Sequence, residues 1–319
     1  MGVLVEGTWH SEDTSWTDET GRVRRPSSRF RHWVTADGTP GPTGDGGFVA
    51  ERGRYHLYIS RACPWAHRTA ILRELKGLQD IVGLSVTHWW MADNGWTFDP
   101  GPGVVPDPVN CAATVWQLYA ASDASYSGRA TVPVLWDRQR RCIVSNESAD
   151  IVRMFNSAFD GAGATAGDWY PPALRARIDA LNERIYDNLN NGVYRAGFAT
   201  SQVAYEEAVA DVFATLDWLE DLLAAQPWLC GDTGTEADWR LFTTLARFDA
   251  AYHGHFKCNL RRLVDYPALR AYTRRLYAHP GVAGTVDLGH IKRHYYQSHR
   301  HINPTGIVPA GPALDFGIP

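Results

Sequence analysis

"YISRACPWAHRTAILREL", residues 58–75, sets a cysteine where an apolar, strand-like run gives way to a helix-like one, with Pro64 and Trp65 directly after it. Upstream, "RYHLYIS" (54–60) reads as a short strand. Downstream, "CPWAHRTAILRELKGL" (63–78) reads as a helix. Pro64 falls in the first turn, where its missing N–H costs nothing, and Ile71, Leu75 and Leu78 share one stripe. "DIVGLSV" (80–86) follows as a second, buried strand. Strand, helix and strand within about 30 residues make a βαβ unit, whose strands should be parallel. In a C-x-x-C dithiol motif the residue three places on would be a second cysteine; here it is Ala66.

Working outward, 319 residues of 45% hydrophobic content suit two domains of about 100–200 residues each. Residues 1–50, typified by "TADGTPGPTGDGGF" (35–48), show little period and read as an extension that wraps the body or stays mobile. A polar and aromatic segment, 88–130, separates the βαβ unit from "TVPVLWD" (131–137) and "RCIVS" (141–145), joined as a hairpin by a charged turn. "NESADIVRMFNSAF" (146–159) is a helix with Asn146 or Ser145 as its cap. The order βαβ then ββα is that of a thioredoxin-like domain, expected over 51–160. Val132-Pro133 lies where that fold sets a cis-proline beside its reactive cysteine, and a proline within a strand asks for special geometry.

From 172 to 300 the pattern is helical, so the fold class is α/β followed by all-α, with a Pro/Gly-rich tail at 301–319. Leu174, Ile178, Leu181, Ile185 and Leu189 recur at intervals of three and four, as do Val209, Phe213, Leu216 and Leu219. Thr235 and Asp238 stand at capping-box spacing.

A net charge of −4 gives no electrostatic reason to expect nucleic acid or an acidic membrane surface. The histidine-rich "HIKRHYYQSHRH" (290–301) supplies little cation at neutral pH. Five cysteines, widely spread, do not form a disulfide framework. No signal sequence or membrane span is expected, and Glu6 stands where a myristoylation signal would want Ser or Thr, which together suggest a cytoplasmic protein. His253, His255 and Cys258 are metal-ligand types at a spacing that matches no common closed zinc site, so no metal is expected.

Cys63 faces the unpaired N–H groups and positive end of its helix, which favour thiolate. A pKa moved from about 8.5 to about 7 raises the thiolate fraction at neutral pH from a few per cent to about half. Arg61 and Arg68, and His67 when protonated, are able to add to this. The competing reading is a buried, inert thiol. With Ala66 in place of a second cysteine, a mixed disulfide on Cys63 has no neighbouring thiol to resolve it, so an external thiol must complete any cycle. Cys111, Cys142, Cys230 and Cys258 are remote in sequence and read as structural.

These segments, with "WWMADNGWTFD", "SYSGRATVPVLW", "NNGVYRAGFATSQ", "RFDAAYHGHFKCN" and "HYYQSHRHINPTGIVP", resemble the glutathionyl-hydroquinone reductases, the Xi class of cysteine-type glutathione transferases. The likeness runs from about residue 30 to about 310. It implies glutathione as co-substrate, no permanently bound cofactor, and a homodimer formed through the helical domains. It implies that Val132 pairs with the cysteinyl part of glutathione, that Glu147 and Ser148 hold the γ-glutamyl end, and that Trp96 and Arg129 approach the tripeptide. It also implies an acceptor site for a flat aromatic, lined by Tyr194, Tyr252 and Tyr295, with Tyr296 the adjacent alternative. Such residues have ordinary uses as well: Glu147 and Ser148 as helix caps, Trp96 and the tyrosines as core, Arg129 in a surface ion pair. The expected reaction is reduction of a glutathionyl-hydroquinone through a Cys63–glutathione mixed disulfide. Dehydroascorbate reduction, deglutathionylation and a non-catalytic binding module are the alternatives.

Overall fold

The first fifty residues open with a hairpin that the sequence pattern concealed. In the computed structural model, which describes residues 2–11, 17–314 and 316, β1 (Val3–Val5) pairs antiparallel with β2 (Thr8–His10). Glu6 and Gly7 turn the chain with φ of 47° and 75°, the two positive values that a two-residue loop needs to match strand twist. A Cβ on Gly7 would stand 2.0 Å from the Ala124 carbonyl oxygen, so glycine is required. Glutamate ahead of it hides the turn from a search for Asn-Gly or Asp-Gly. Leu4 exchanges both backbone hydrogen bonds with Gly128, each 2.9 Å, which fixes the hairpin to the segment leading into the main sheet.

Then come β3 (Tyr55–Ile59), α1 (Pro64–Leu75), β4 (Gly83–Val86), α2 (Val115–Ser122), β5 (Val134–Asp137), β6 (Cys142–Ser145) and α3 (Ser148–Ser157). The four longer strands form one sheet in the order β4-β3-β5-β6. β3 is parallel to β4 and antiparallel to β5, which is antiparallel to β6. Every residue of β3 is buried, as suits an interior strand covered on both faces.

Three local expectations change. α1 is buried on all sides from Pro64 to Arg73, so it has no single apolar stripe; Leu75 is half-buried, while Lys76 just beyond the helix is fully buried. The Lys76 Nζ donates to Asp160 Oδ1 (2.9 Å) and to the Gly167 carbonyl (2.7 Å), which supplies the partners a buried ammonium needs. The segment 88–130 contains α2, begun by a capping box of Thr114 and Gln117. The cap of α3 is Glu147, neither Asn146 nor Ser145. The Val132-Pro133 bond is cis, and β5 begins just after it, so Pro133 removes no ladder bond.

A buried ion pair braces the far end of this sheet. Asp137, fully buried, accepts from Arg54 Nη2 at 2.6 Å and Nε at 3.1 Å, and from the backbone N–H of Gln139 at 2.8 Å. Arg54 is nearly as buried.

The chain divides into two units: Met1–Thr14 with Ser27–Asp168, which holds the sheet, and Ser15–Pro26 with Trp169–Pro319, which is helical. The second contains α4 (Arg175–Ile185), α5 (Gly192–Gly197), α6 (Gln202–Ala225), α7 (Glu236–Arg247), α8 (Pro267–Tyr277) and α9 (Leu288–Arg293). Ile178, Leu181, Ile185, Leu189, Val209, Phe213, Leu216 and Leu219 are all buried, whereas Leu174 is half-buried. Thr235 and Asp238 form the capping box of α7, and Asp238 also accepts from Leu229 N–H (2.9 Å) and Tyr272 hydroxyl (2.7 Å). Three π-helical stretches interrupt the helices, at Tyr186–Asn190, Phe248–Tyr252 and His294–Ser298. Among the described residues no helix is long and apolar enough to cross a membrane.

Removing the carboxylate of Asp137 strands the Arg54 cation. Asp137→Ala is therefore expected to lower unfolding free energy by about 3–5 kcal/mol, read as a shift of the urea midpoint.

Candidate active site

The sheet topology selects one end of the first unit. β3 runs toward Cys63, β5 starts there after Val132-Pro133, and β6 ends there before Glu147 and Ser148. Cys63 is the N-cap of α1, with extended backbone (φ −77°, ψ 120°) and a half-buried side chain. Its carbonyl accepts the His67 N–H at 3.0 Å, the first bond of the helix. Pro64 contributes no donor, and the remaining N–H groups of the first turn have no intrahelical acceptor. The thiol donates to the Val132 carbonyl oxygen at 3.5 Å. Deprotonation forfeits that contact, so the helix end is what favours the thiolate.

Glu147 and Ser148 sit at the next strand end. Glu147 Oε1 accepts from Ala149 N–H at 3.1 Å, its Oε2 from the Ser28 hydroxyl at 3.0 Å, and its own N–H donates to Ser145 Oγ at 3.1 Å. Ser148 is the buried first residue of α3. Trp96 is buried and its carbonyl accepts the Val115 N–H, at 2.9 Å, where α2 starts. Arg129 is half-buried, three residues before Val132, and its carbonyl accepts the Tyr126 hydroxyl at 3.1 Å. Arg68 is almost wholly buried with its guanidinium 4.5 Å from the Trp65 ring centre, a cation–π contact inside α1.

The helical unit carries a second cluster. The Tyr295 hydroxyl lies 2.5 Å from that of Tyr194 and 3.1 Å from that of Tyr252. Tyr252 and Tyr295 are buried, Tyr194 half-buried. Burial, reinforced by the two neighbouring phenols and opposed by Arg247, holds the Tyr295 hydroxyl well above the usual phenol range, so it stays protonated at neutral pH. Tyr252 and Tyr295 belong to π-helical stretches, and Tyr194 comes four residues after the third. Tyr296 turns its ring against His255 instead, 4.8 Å between centres. His255 Nε2 lies 3.2 Å from His299 Nδ1, and burial drives His255 down to about 3, so the pair is neutral. Cys258 is buried, its thiol pushed up to about 12 by desolvation, the reverse of what a reactive thiol requires.

Sequence reading did not find Ser28, Arg31 or Asp150. Arg31 clasps Asp150 with both its Nε and its Nη2, the latter at 2.9 Å. No local pattern marks Ser28 or Arg31, since each meets a partner 119 positions away.

A thioredoxin-like unit with a cysteine capping its first helix, and a helical unit after it, is the architecture of a cysteine-type glutathione transferase. Family models agree: residues 62–158 match the glutathione S-transferase N-terminal domain and residues 202–275 the C-terminal domain. The chain is 55% identical over 320 residues, covering 100% of it and 98% of the relative, to the glutathionyl-hydroquinone reductase YqjG of Escherichia coli. It is 52% identical over 98% of its length, and 97% of the relative's, to the glutathionyl-hydroquinone reductase PcpF of Sphingobium chlorophenolicum. The glutathione-bound structure of the Escherichia coli protein superposes with a TM-score of 0.93, at 54% identity, covering 100% of this chain and 98% of that one. The Xi glutathione transferase of Phanerochaete chrysosporium superposes at 0.89, with 47% identity over 95% and 96% of the two chains. The chain belongs to the glutathionyl-hydroquinone reductase family, the Xi class of the glutathione S-transferase superfamily.

Thiolate character predicts selective alkylation. Iodoacetamide at neutral pH should label half-buried Cys63 before exposed Cys111; peptide mass mapping that finds Cys111 modified first would remove the basis for an activated Cys63.

Proposed function

We propose that the protein reduces S-glutathionyl-hydroquinones to hydroquinones at the expense of glutathione, as the names of its Escherichia coli and Sphingobium relatives suggest. The observation that carries this reading is a lone cysteine at the N-cap of α1, beside the Val132 carbonyl, with Ala66 where a resolving cysteine would stand. The Cys63 thiolate attacks the sulfur of the substrate thioether. A Cys63–glutathione disulfide forms, the carbon–sulfur bond breaks, and its electron pair passes to the ring carbon, which takes a proton. A second glutathione, as thiolate, attacks the disulfide on its glutathionyl sulfur and releases Cys63. The sum is glutathionyl-hydroquinone plus glutathione giving hydroquinone plus glutathione disulfide, with electrons balanced and no metal or nicotinamide consumed.

In this reading residues 51–160 form the glutathione-binding domain and 172–300 the acceptor domain. Glutathione is a consumed co-substrate, not a resident cofactor. Val132 offers its backbone to the cysteinyl part, Glu147 accepts from the γ-glutamyl ammonium, Ser148 at the start of α3 meets the carboxylate, and Trp96 and Arg129 flank the tripeptide. Tyr194, Tyr252 and Tyr295 receive the quinol ring, their rings packing on its face and their hydroxyls meeting a quinol oxygen or supplying the proton that the ring carbon needs. We further propose a homodimer working in a reducing cytoplasm.

Cys63→Ser should abolish turnover of a glutathionyl-hydroquinone, and mass spectrometry of the unsubstituted protein after substrate alone should find one glutathione on Cys63; substantial activity in the variant would sink the assignment. Tyr295→Phe tests the acceptor side. It should lower kcat on the order of 10²-fold, the scale of lost general acid catalysis. Reduction of preformed Cys63–glutathione disulfide by glutathione should keep its rate.

A further inference from the structure

The matched glutathione transferase segment begins at residue 62, yet the carboxylate assigned to the γ-glutamyl end is held from outside it. β6 lies at one edge of the sheet, and residues 30–32 cover that edge. The His32 N–H donates to the Val144 carbonyl (3.0 Å), the Asn146 N–H to the Phe30 carbonyl (3.1 Å), and the Phe30 N–H to Asn146 Oδ1 (3.2 Å). This pairing sets Ser28 against Glu147 and Arg31 against Asp150.

The consequences are electrostatic and geometric. Glu147 could turn about its one local bond to Ala149 N–H; the Ser28 hydroxyl fixes the second oxygen. Each oxygen keeps a lone pair, so a carboxylate fixed this way can still accept from an ammonium. Asp150, one helical turn away, is a second carboxylate in the same corner and is buried. Arg31 offsets its charge, leaving Glu147 as the acceptor for an incoming cation.

We propose that Ser28 is a positioning residue for γ-glutamyl recognition, and that residues 28–32 complete the glutathione site; this rests on the assignment of Glu147 and Ser148 given above. The test uses the full-length protein and a hydroquinone that carries either glutathione or cysteinylglycine on its ring, with glutathione as the reducing thiol throughout. Cysteinylglycine is the same thiol without the γ-glutamyl group. Ser28→Ala should raise the half-saturating concentration of the glutathionyl-hydroquinone about 5–10-fold, the scale of one lost hydrogen bond. It should keep kcat, leave the half-saturating concentration of the cysteinylglycinyl-hydroquinone unchanged, and be rescued by Ser28→Thr. No change with the glutathionyl substrate, or equal loss with both substrates, overturns the proposal, the second because it marks a purely structural role. An unsubstituted protein that uses both substrates equally defeats the γ-glutamyl assignment itself, a separate and recognisable result.

Discussion

Because β5 hydrogen-bonds antiparallel to β3 on one side and to β6 on the other, the end of β3, the start of β5 and the end of β6 must share one end of the sheet. Cys63, Val132 and the Glu147-Ser148 pair occupy those three places. These residues do not have to reach for their positions; strand direction puts them there. The same pairing keeps β3 wholly buried, so α1 leaves the sheet at a fixed point and its N-terminal N–H groups are held over the cysteine. The chemistry of the thiol is set by the ladder before any side chain is considered.

The strand–cysteine–proline–helix join was legible because its signals are local: a β-rich run, a proline tolerated only near a helix start, and a second apolar run. The same holds for the Thr235–Asp238 capping box and for the buried stripe of α6. Other elements escaped for identifiable reasons. α2 carried a readable capping box at Thr114 and Gln117, overlooked within a polar and aromatic stretch. The first hairpin was hidden by a glutamate at a turn position where asparagine or aspartate is usual. Lys76 could not be expected inside, because its partners Asp160 and Gly167 are far along the chain. Ser28 and Arg31 were invisible for the same reason: nothing in their neighbours encodes contacts made 119 residues away.

The tyrosine cluster shows how backbone irregularity serves side-chain geometry. A π-helical turn adds a residue to the helical repeat and rotates the residues beyond it. Tyr252 ends one such turn, Tyr295 lies in another, and Tyr194 comes shortly after the third. A strictly 3.6-residue pattern reads the stretch 174–194 as one amphipathic helix. In the fold it is α4, a π turn and α5. The departure from regular helix accompanies the meeting of three phenol hydroxyls from three separate segments.

The position of β3 has a consequence for how this chain can be divided. The match to the glutathione S-transferase N-terminal domain, 62–158, begins after β3, the strand that lies between β4 and β5. A polypeptide cut at that boundary would keep the cysteine and lose the centre of its sheet. β4 would be left alone and β5 with one bare edge, two rows of unsatisfied N–H and carbonyl groups ready to pair with other chains. The bounds of that domain match thus mark where the chemistry is written, while the smallest autonomous piece must be drawn from the hydrogen-bond ladder and reaches back to the residues that clothe β6.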